Sequence, residues 1–540
     1  MARTKVAIPL DEHTLQRLER FGAERACLTK RSCSLPYPTT IPGRENSPRM
    51  HDMVRPTGQR TSGLLCHPTS LPGRYGIGDL GASAQQFVDF LAASGQQYWQ
   101  VLPLGPPDEV CSPYQGASSM AGNILLLSLD TLVAEGWLTP EALHDTPVFP
   151  DASVNYEAVI PWKGALLRQA AARCVQALSG TDRLTFEAFC AERHAWLETF
   201  ARFMAFKEAS AGLPWTQWTH RTAPDPVAVA SYKFLQWQFF RQWQALKQYC
   251  HERGIRLIGD LPIYVAHDSA DVWGHPALFA LDDTGQPTEV AGVPPDYFST
   301  TGQRWGNPVY RWDVMADTGY AWWIARLRAI LELVDIVRLD HFRGFESYYV
   351  IPADAPTAIQ GTWCKGPGDR LFAALRQALG GLPFVAEDLG RITPEVVGLR
   401  ERWGLPGMRV LQFAFRSDVP DNPHKPHNYV KHCVAYTGTH DNDTALGWFS
   451  MLTPEERQRA LRYLHSTGRA VHWDMIRVVL ASVADTVIVP LQDVLGLATS
   501  ARMNLPGTNQ KNWRWRLQPR QLHARLSERL RTLTRTYGRH

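Results

Sequence analysis

Eight short, continuous apolar runs recur along this chain of 540 residues, and they constrain its fold more than any other feature. Each run is apolar at consecutive positions rather than at alternate ones, as expected for parallel strands that are covered on both faces. The runs occupy residues 62–68, 97–105, 255–265, 334–342, 383–390, 407–415, 433–441 and 485–495. Helical patterns lie between them, so we predict a parallel α/β fold that closes into a (β/α)8 barrel. An open doubly wound sheet is the alternative, but no GxGxxG motif follows any run.

Two of the segments between runs are too long for a simple helical crossover, and we predict that both are insertions at the catalytic face of the barrel. Residues 130–250 have mostly helical patterns, and residues 266–330 are dense in Gly, Pro and aromatic residues. Residues 1–55 lack an apolar run of strand length and are rich in Pro, Ser, Thr and Arg, so we expect a poorly ordered polar extension. The predicted organisation is this extension followed by a catalytic barrel at 56–540, without a C-terminal β domain.

Composition excludes several classes of protein. The 56 Lys and Arg residues outnumber the 52 Asp and Glu residues only slightly, and this small excess does not predict a nucleic-acid partner. No run of about eighteen apolar residues is present, so neither a transmembrane helix nor a membrane partner is expected. The nine cysteines are scattered without a CxxC motif, and the start of the chain lacks the apolar region of a signal peptide. These features predict a cytoplasmic protein without a disulfide framework or a zinc site.

Charged residues lie at the carboxyl ends of four of the predicted strands. They are Asp260 in the third run, Arg338 and Asp340 in the fourth, Glu387 and Asp388 in the fifth, and His440 and Asp441 in the seventh. In a (β/α)8 barrel the catalytic groups sit at this end of the strands. A single aspartate there is more often a turn or cap residue. Four strands that deliver carboxylates to one rim are harder to explain in that way, because buried like charges repel each other.

Clustered carboxylates suit either a divalent metal site or glycoside chemistry, in which one carboxylate attacks the sugar and another donates a proton. Arg338 precedes Asp340 by two residues, so both side chains point to the same side of the strand. A guanidinium in that position competes with a metal ion and keeps a nucleophilic carboxylate ionised. The pattern therefore favours glycoside chemistry, with no metal or other cofactor.

The motifs around these residues resemble those of a known enzyme family. They are VRLDHFRGFE, VAEDLG, YTGTHDNDT, GDLPIYVAHDSADVW, GVPPDYFSTTGQRWGNPVYRW and PGMRVLQFAF. Together they closely resemble the amylomaltases, the 4-α-glucanotransferases or disproportionating enzymes of glycoside hydrolase family 77 in the α-amylase clan. The resemblance extends from about residue 60 to about residue 520 and includes all eight predicted strands and both insertions. Residues 1–55 have no counterpart in it.

The resemblance implies roles for individual residues. Asp340 matches the nucleophile of the family, Glu387 its general acid/base, and Asp441 the third carboxylate, which holds sugar hydroxyls and distorts the ring. Substrate-binding roles are implied for Arg338, His341, His440, Asp260, Tyr114 against the donor sugar, and Tyr297, Gln303 and Trp305 in a loop over the cleft. Two displacements through a glycosyl-aspartate would retain the α configuration, with the two carboxyl groups about 5–5.5 Å apart.

The substrates implied by the resemblance are α-1,4-glucans and malto-oligosaccharides, such as starch or glycogen, with glucose as an acceptor. The nearest rival is an α-glucan hydrolase of the same clan, which shares the catalytic residues. The family-specific loop GVPPDYFSTTGQRWGNP favours the transferase. A noncatalytic glycan-binding scaffold is the rival from another class, but such a protein would be expected to have lost Asp340 or Glu387.

Overall fold

The computed structural model describes residues 60–219, 223–295 and 299–540. The predicted N-terminal extension and Tyr297 lie outside these ranges. Within them, no helix is both long enough and apolar enough to cross a membrane.

Eight parallel strands close into a barrel, and each predicted apolar run supplies one of them, so the predicted (β/α)8 fold is confirmed. In chain order the strands are β1 Thr61–Leu65, β2 Tyr98–Gln100, β3 Arg256–Leu261, β4 Glu289–Val293, β5 Gln303–Pro308, β6 Ile336–Leu339, β7 Ser347–Pro352, β8 Thr362–Lys365, β9 Phe384–Ala386, β10 Gly407–Val410, β11 Cys433–Tyr436 and β12 Thr486–Pro490. The barrel strands are neighbours in the order β1, β2, β3, β6, β9, β10, β11 and β12, and β12 pairs again with β1. Every residue of β1, β9 and β11 is buried, which explains why these runs are apolar at consecutive positions.

Helices cover the outside of the barrel and fill the long segment between β2 and β3. They are α1 Ala82–Ala93, α2 Leu129–Ala134, α3 Tyr156–Ala177, α4 Gly180–Glu192, α5 His194–Ala209, α6 Pro226–Glu252, α7 Ala270–Gly274, α8 Trp312–Asp317, α9 Ala321–Leu333, α10 Gly368–Leu379, α11 Pro394–Arg402, α12 Ala445–Met451, α13 Pro454–Leu464, α14 Val471–Ala481, α15 Leu491–Val494 and α16 Ala524–Thr536. Helix α13 begins with a capping box, in which Thr453 and Glu456 each accept a hydrogen bond from the other's backbone N–H.

The longest helix, α6, is part of the core. Asp225 caps its first turn by accepting a hydrogen bond from the N–H of Val227. Trp237 and Trp243 of this helix are buried, and the indole N–H of Trp243 donates to the carbonyl of Leu333 at the end of α9. These aromatic residues therefore pack helices against the barrel and are absent from the cleft described below.

A second, antiparallel sheet forms at the rim of the barrel, with the strand order β5, β4, β7, β8. Its strands β4 and β5 follow β3 along the chain, and β7 and β8 follow β6, so the sheet stands next to the carboxyl ends of these two barrel strands. Strand β5 places Gln303, Trp305 and Asn307 along the wall of the cleft. The Gly- and Pro-rich segment thus includes ordered strands as well as loop.

Arg539 seals the opposite end of the barrel. Its fully buried guanidinium donates hydrogen bonds of 2.7–3.3 Å to the carbonyls of five residues, Thr61, Leu480, Ser482, Ala484 and Asp485. The carbonyl of Arg539 accepts hydrogen bonds from the side chains of Ser62 and Gln97. The end of the chain therefore ties the first barrel strand to the segment that precedes the last one.

Candidate active site

A cleft of about 1850 Å³ opens at the carboxyl ends of the barrel strands. The residues that line it include nine of those predicted from the sequence: Arg338, Asp340, Glu387, His440, Asp441, Tyr114, His341, Gln303 and Trp305. Asp260 lies beneath the floor and is 1% exposed. The structure thus gathers at one place every predicted site residue that it describes.

Arg338 lies at the centre of the floor and contacts two aspartates. Asp260 and Arg338 are register partners on the adjacent strands β3 and β6, so their side chains lie next to each other. Nη1 of Arg338 is 2.8 Å from both carboxylate oxygens of Asp260 and 2.9 Å from Oδ1 of Asp340. Burial opposes the charge of Arg338, but the two carboxylates raise its pKa well above the usual value. A fixed positive charge therefore stands 2.9 Å from the side chain of Asp340.

Glu387 occupies a different environment at the end of β9. Its carboxyl oxygens accept hydrogen bonds from the backbone N–H groups of His341 at 2.8 Å and Leu389 at 3.0 Å, which fix the side chain. Burial raises the pKa of Glu387 to about 8; the charge of Arg338 opposes this rise, and the charge of Asp340 adds to it. The carboxyl is thus protonated at neutral pH, so this floor holds one ion-paired carboxylate and one carboxylic acid.

His341 connects the two carboxyl groups through the backbone. It adopts a left-handed conformation with a φ of 50°, which starts the turn Phe342–Phe345 and aims its N–H at Glu387. Burial lowers the pKa of its imidazole to about 4, so the ring is neutral at pH 7. The ring meets Trp305 edge-on, with centroids 4.9 Å apart, and the Trp305 indole N–H donates to Oε1 of Gln303. The predicted loop residues Gln303 and Trp305 therefore share one wall with the segment that follows β6.

Tyr114, His440 and Asp441 form the facing wall. The Tyr114 hydroxyl donates to Oδ2 of Asp260 at 2.7 Å, and its ring stacks on His440 with centroids 5.1 Å apart and an interplanar angle of 17°. Nε2 of His440 lies 3.2 Å from Oδ1 of Asp441. The side chain of Asp441 is 44% exposed to the cleft. This wall offers a carboxylate and aromatic side chains to a ligand, which suits a polyhydroxylated ligand with apolar faces.

Two contributors to this wall were missed in the sequence. Asn504 donates from Nδ2 to Oδ1 of Asp441 at 2.6 Å, and Trp513 packs against Tyr114 and His440 at 5.7 and 6.0 Å. Trp513 has a φ of 64°, an unfavourable conformation for a bulky residue, and its carbonyl accepts from the Tyr156 hydroxyl. Both residues lie in the loop after β12, far from any strand end. The only available signal was the pattern NLPGTNQKNWRW, whose turn residues follow the last strand.

Asp388, the neighbour of Glu387, faces away from the cleft. It pairs with the buried Arg400 of α11 and accepts a hydrogen bond from the N–H of Met408 in β10. Its contacts are those of a residue that joins a helix to the barrel. Successive side chains point to opposite sides of a strand, so Glu387 faces the cleft whereas Asp388 contacts Arg400 and Met408 on the other side.

The described residues contain no group of three or more His, Cys, Asp or Glu side chains arranged to hold a metal ion. The cation that the structure places against Asp340 is the guanidinium of Arg338. The negative charge of the floor is therefore balanced by a side chain of the protein itself.

Comparisons with known proteins agree with this geometry. A family model described as 4-alpha-glucanotransferase, of glycoside hydrolase family 77, matches residues 66–523. The chain is 50% identical to a 4-alpha-glucanotransferase of Thermus thermophilus over 494 residues, which cover 88% of this chain and 98% of that protein. It is 41% identical to the chloroplastic/amyloplastic 4-alpha-glucanotransferase DPE1 of Arabidopsis thaliana, over 97% of this chain and 92% of that protein. The second alignment includes part of residues 1–55, for which the sequence motifs indicated no counterpart.

A solved structure shows the same likeness in three dimensions. The amylomaltase from Streptococcus agalactiae in complex with acarbose superposes with a TM-score of 0.86 at 36% identity, covering 89% of this chain and all of that chain. The barrel, the cleft with its paired carboxyl groups, the family model and these relatives all point to one conclusion. The chain belongs to the amylomaltase family of 4-α-glucanotransferases.

Proposed function

We propose that this 4-α-glucanotransferase works by a retaining double displacement with Asp340 as the nucleophile and Glu387 as the general acid/base. The observation that carries this assignment is the difference between the two carboxyl groups. Asp340 is ion-paired with Arg338, whereas burial raises the pKa of Glu387 to about 8. An acid must hold its proton, as the raised pKa of Glu387 provides at neutral pH, and a carboxylate nucleophile suits a position beside a fixed guanidinium, as Asp340 has beside Arg338.

In the first displacement, a carboxylate oxygen of Asp340 attacks the anomeric carbon of an α-1,4-linked glucose. The bond from that carbon to the bridging oxygen breaks, and Glu387 gives its proton to this oxygen, so the remaining glucan leaves as an alcohol. In the second displacement, the 4-hydroxyl of an acceptor glucan attacks the same carbon. Glu387 takes the hydroxyl proton and Asp340 leaves as a carboxylate. Two inversions restore the α configuration.

The remaining predicted residues receive roles from their contacts. Asp441 and His440 bind hydroxyls of the reacting sugar, and Tyr114 stacks against its ring. Asp260 is buried with both oxygens already engaged by Arg338, and one of them also by Tyr114. We therefore assign it the task of orienting these two side chains, rather than the direct sugar contact implied by the resemblance.

Gln303, Trp305 and, by family resemblance, Tyr297 are proposed to bind the acceptor. The indole of Trp305 lies against His341, which follows the nucleophile in the chain. An acceptor sugar held here would be oriented towards the glycosyl-enzyme and would displace water from it.

The proposed substrates are starch- or glycogen-type α-1,4-glucans and malto-oligosaccharides, with glucose as an additional acceptor. Their support is the activity for which the relatives are named and the acarbose bound by the related amylomaltase from Streptococcus agalactiae. A cytoplasmic location is also proposed. Seven cysteines of the described residues form no disulfide, which is consistent with a reducing compartment. They are Cys66, Cys111, Cys174, Cys190, Cys250, Cys364 and Cys433.

Incubation with maltotriose alone tests the proposal. A transferase should release glucose and build a ladder of longer oligosaccharides while the total number of reducing ends stays nearly constant. Asp340→Asn should abolish this turnover without changing the melting temperature by more than a few degrees, because the neutral amide cannot form the glycosyl ester. A steady rise of reducing ends from the start would favour the hydrolase, and near-normal turnover by Asp340→Asn would overturn the assignment of the nucleophile.

A further inference from the structure

Two amide side chains bind each other across the wall of the cleft. Nε2 of Gln115 donates to Oδ1 of Asn307 at 3.0 Å, and Nδ2 of Asn307 donates to Oε1 of Gln115 at 3.0 Å. Both residues line the cleft, although Asn307 is only 4% exposed. We call this pair of side chains the amide clasp.

The backbone fixes the orientation of the amide clasp. Nδ2 of Asn307 also donates to the carbonyl of Val265 at 2.8 Å, and a carbonyl only accepts, so the amide nitrogen of Asn307 must face it. The oxygen of Asn307 is then left to accept from Gln115, which in turn sets the orientation of the Gln115 amide. A chain of two hydrogen bonds therefore leads from the carbonyl of Val265, in the segment that follows β3, to the cleft surface.

Gln115 retains unused hydrogen-bonding capacity. A primary amide has two N–H donors and two oxygen lone pairs, and the clasp uses one of each. Gln115 makes no further side-chain hydrogen bond within residues 60–219, 223–295 and 299–540. One N–H and one lone pair thus remain on a half-buried side chain of the cleft wall, with a fixed polarity. Sugar hydroxyls, which both donate and accept, match this pair of groups.

The amide clasp also connects the two sides of the substrate site. Gln115 follows Tyr114, whose ring stacks on His440, on the side assigned to the donor sugar. Asn307 lies in β5, two residues after Trp305, on the side assigned to the acceptor. A substitution that shifts Asn307 relative to Gln115 would therefore change the distance between the donor side and the acceptor side of the cleft.

We propose that the amide clasp determines specificity for sugar over water: Gln115 hydrogen-bonds a glucan hydroxyl, and Asn307 positions Gln115 and keeps the two walls in register. The proposal rests on the transferase mechanism above. An acceptor that loses this contact is held less well at the glycosyl-enzyme, whereas water, which needs no such contact, reacts as before. The share of intermediates that end in hydrolysis then rises.

The test measures that share with maltotriose, as the gain in total reducing ends relative to glucose released. Both reactions pass through the same intermediate, so their ratio does not depend on how much enzyme is folded. For Gln115→Ala we expect the hydrolytic share to rise about five- to tenfold, as befits the loss of one hydrogen bond. Asn307→Asp, which keeps the shape but loses the donor to Val265 and Gln115, should raise it less. The double variant should match Gln115→Ala, because Asn307 acts through Gln115.

A matched control comes from another buried amide. Gln242 in α6 accepts from the N–H of Ser128 and donates to its carbonyl, away from the cleft. Gln242→Ala should lower the melting temperature and leave the ratio unchanged. A ratio unaffected by Gln115→Ala, or additive effects in the double variant, would overturn the proposal. Failure of the wild-type enzyme to transfer at all would instead contradict the proposed function.

Discussion

Nη1 of Arg338 lies 2.9 Å from Oδ1 of Asp340, and the same nitrogen is 2.8 Å from both oxygens of Asp260. One guanidinium thus contacts both the proposed nucleophile, Asp340, and the buried Asp260. Asp260, which lies beneath the floor of the cleft, holds the planar guanidinium of Arg338. The position of the cation that contacts Asp340 is therefore fixed by Asp260. This arrangement holds the Asp340 side chain in place before a substrate arrives.

Arg338→Lys should reduce kcat on the order of 10²-fold, because an ammonium cannot reproduce the contacts of the planar guanidinium with both aspartates. The charge is retained, so the loss would report on geometry rather than on charge alone. Steady-state kinetics with maltotriose measure the effect. The surface variant Arg535→Lys serves as the control, and equal activities of the two variants would contradict the role of Arg338.

Activity should fall as the pH rises through about 8, because Glu387, the proposed general acid, then loses its proton. The pH profile of kcat/KM for maltotriose reports this ionisation in the free enzyme. Circular dichroism at each pH separates it from unfolding. An activity that stays constant well above pH 8 would show that Glu387 is not the acid.

Glu387→Gln should cripple catalysis, and its melting temperature relative to that of the wild type should rise with pH. The folded protein keeps the Glu387 proton up to about pH 8, whereas the unfolded chain releases it near the ordinary value of 4.5. Between these values the folded state binds more protons, so its stability falls as the pH rises through this window. The glutamine never ionises. Its amide nitrogen cannot accept one of the two backbone N–H bonds that the Glu387 carboxyl accepts, and this cost is present at every pH. The melting temperature of the variant minus that of the wild type should therefore increase between pH 4.5 and about pH 8; the opposite trend would contradict the raised pKa.

Trp305→Ala should slow transfer more than hydrolysis, because the indole lies next to His341 on the side of the cleft that we propose binds the acceptor. Trp363 offers a matched control, since it lies in β8 of the same rim sheet, is 40% exposed and does not line the cleft. Product analysis with maltotriose should show a higher hydrolytic share for Trp305→Ala and an unchanged one for Trp363→Ala. Equal shares in both variants would remove Trp305 from the acceptor site.

Arg539→Ala should lower the free energy of unfolding by roughly 3 kcal/mol, because five backbone carbonyls lose a buried, charged donor. Arg535→Ala, at an exposed position of α16, is the control and should have little effect. Urea denaturation of both variants measures the difference. Similar urea midpoints for the two variants would show that the hydrogen bonds of Arg539 contribute little to the free energy of unfolding.

The strand pattern predicted much of the fold and of the floor of the cleft, because the carboxyl ends of all strands in a parallel barrel lie at the same rim. Asp340 and Glu387 could be placed together from that rule alone. Asn504 and Trp513 could not, since they approach Asp441 and Tyr114 from a loop whose path depends on tertiary packing. The left-handed turn at His341, which aims a backbone N–H at Glu387, has no signature in the residue type. Family resemblance supplied the roles of Tyr114, Gln303 and Trp305, which strand periodicity did not predict.

The pairing of β1 with β12, together with the Arg539 seal, has a consequence for biosynthesis. Strand β1 is synthesised before the other barrel strands, but β12, its second neighbour, is the last of them to be synthesised. Until then the growing sheet has open edges, which are templates for pairing with other chains. The barrel can therefore close only after β12 has been synthesised, and fragments that end before β12 should aggregate rather than fold.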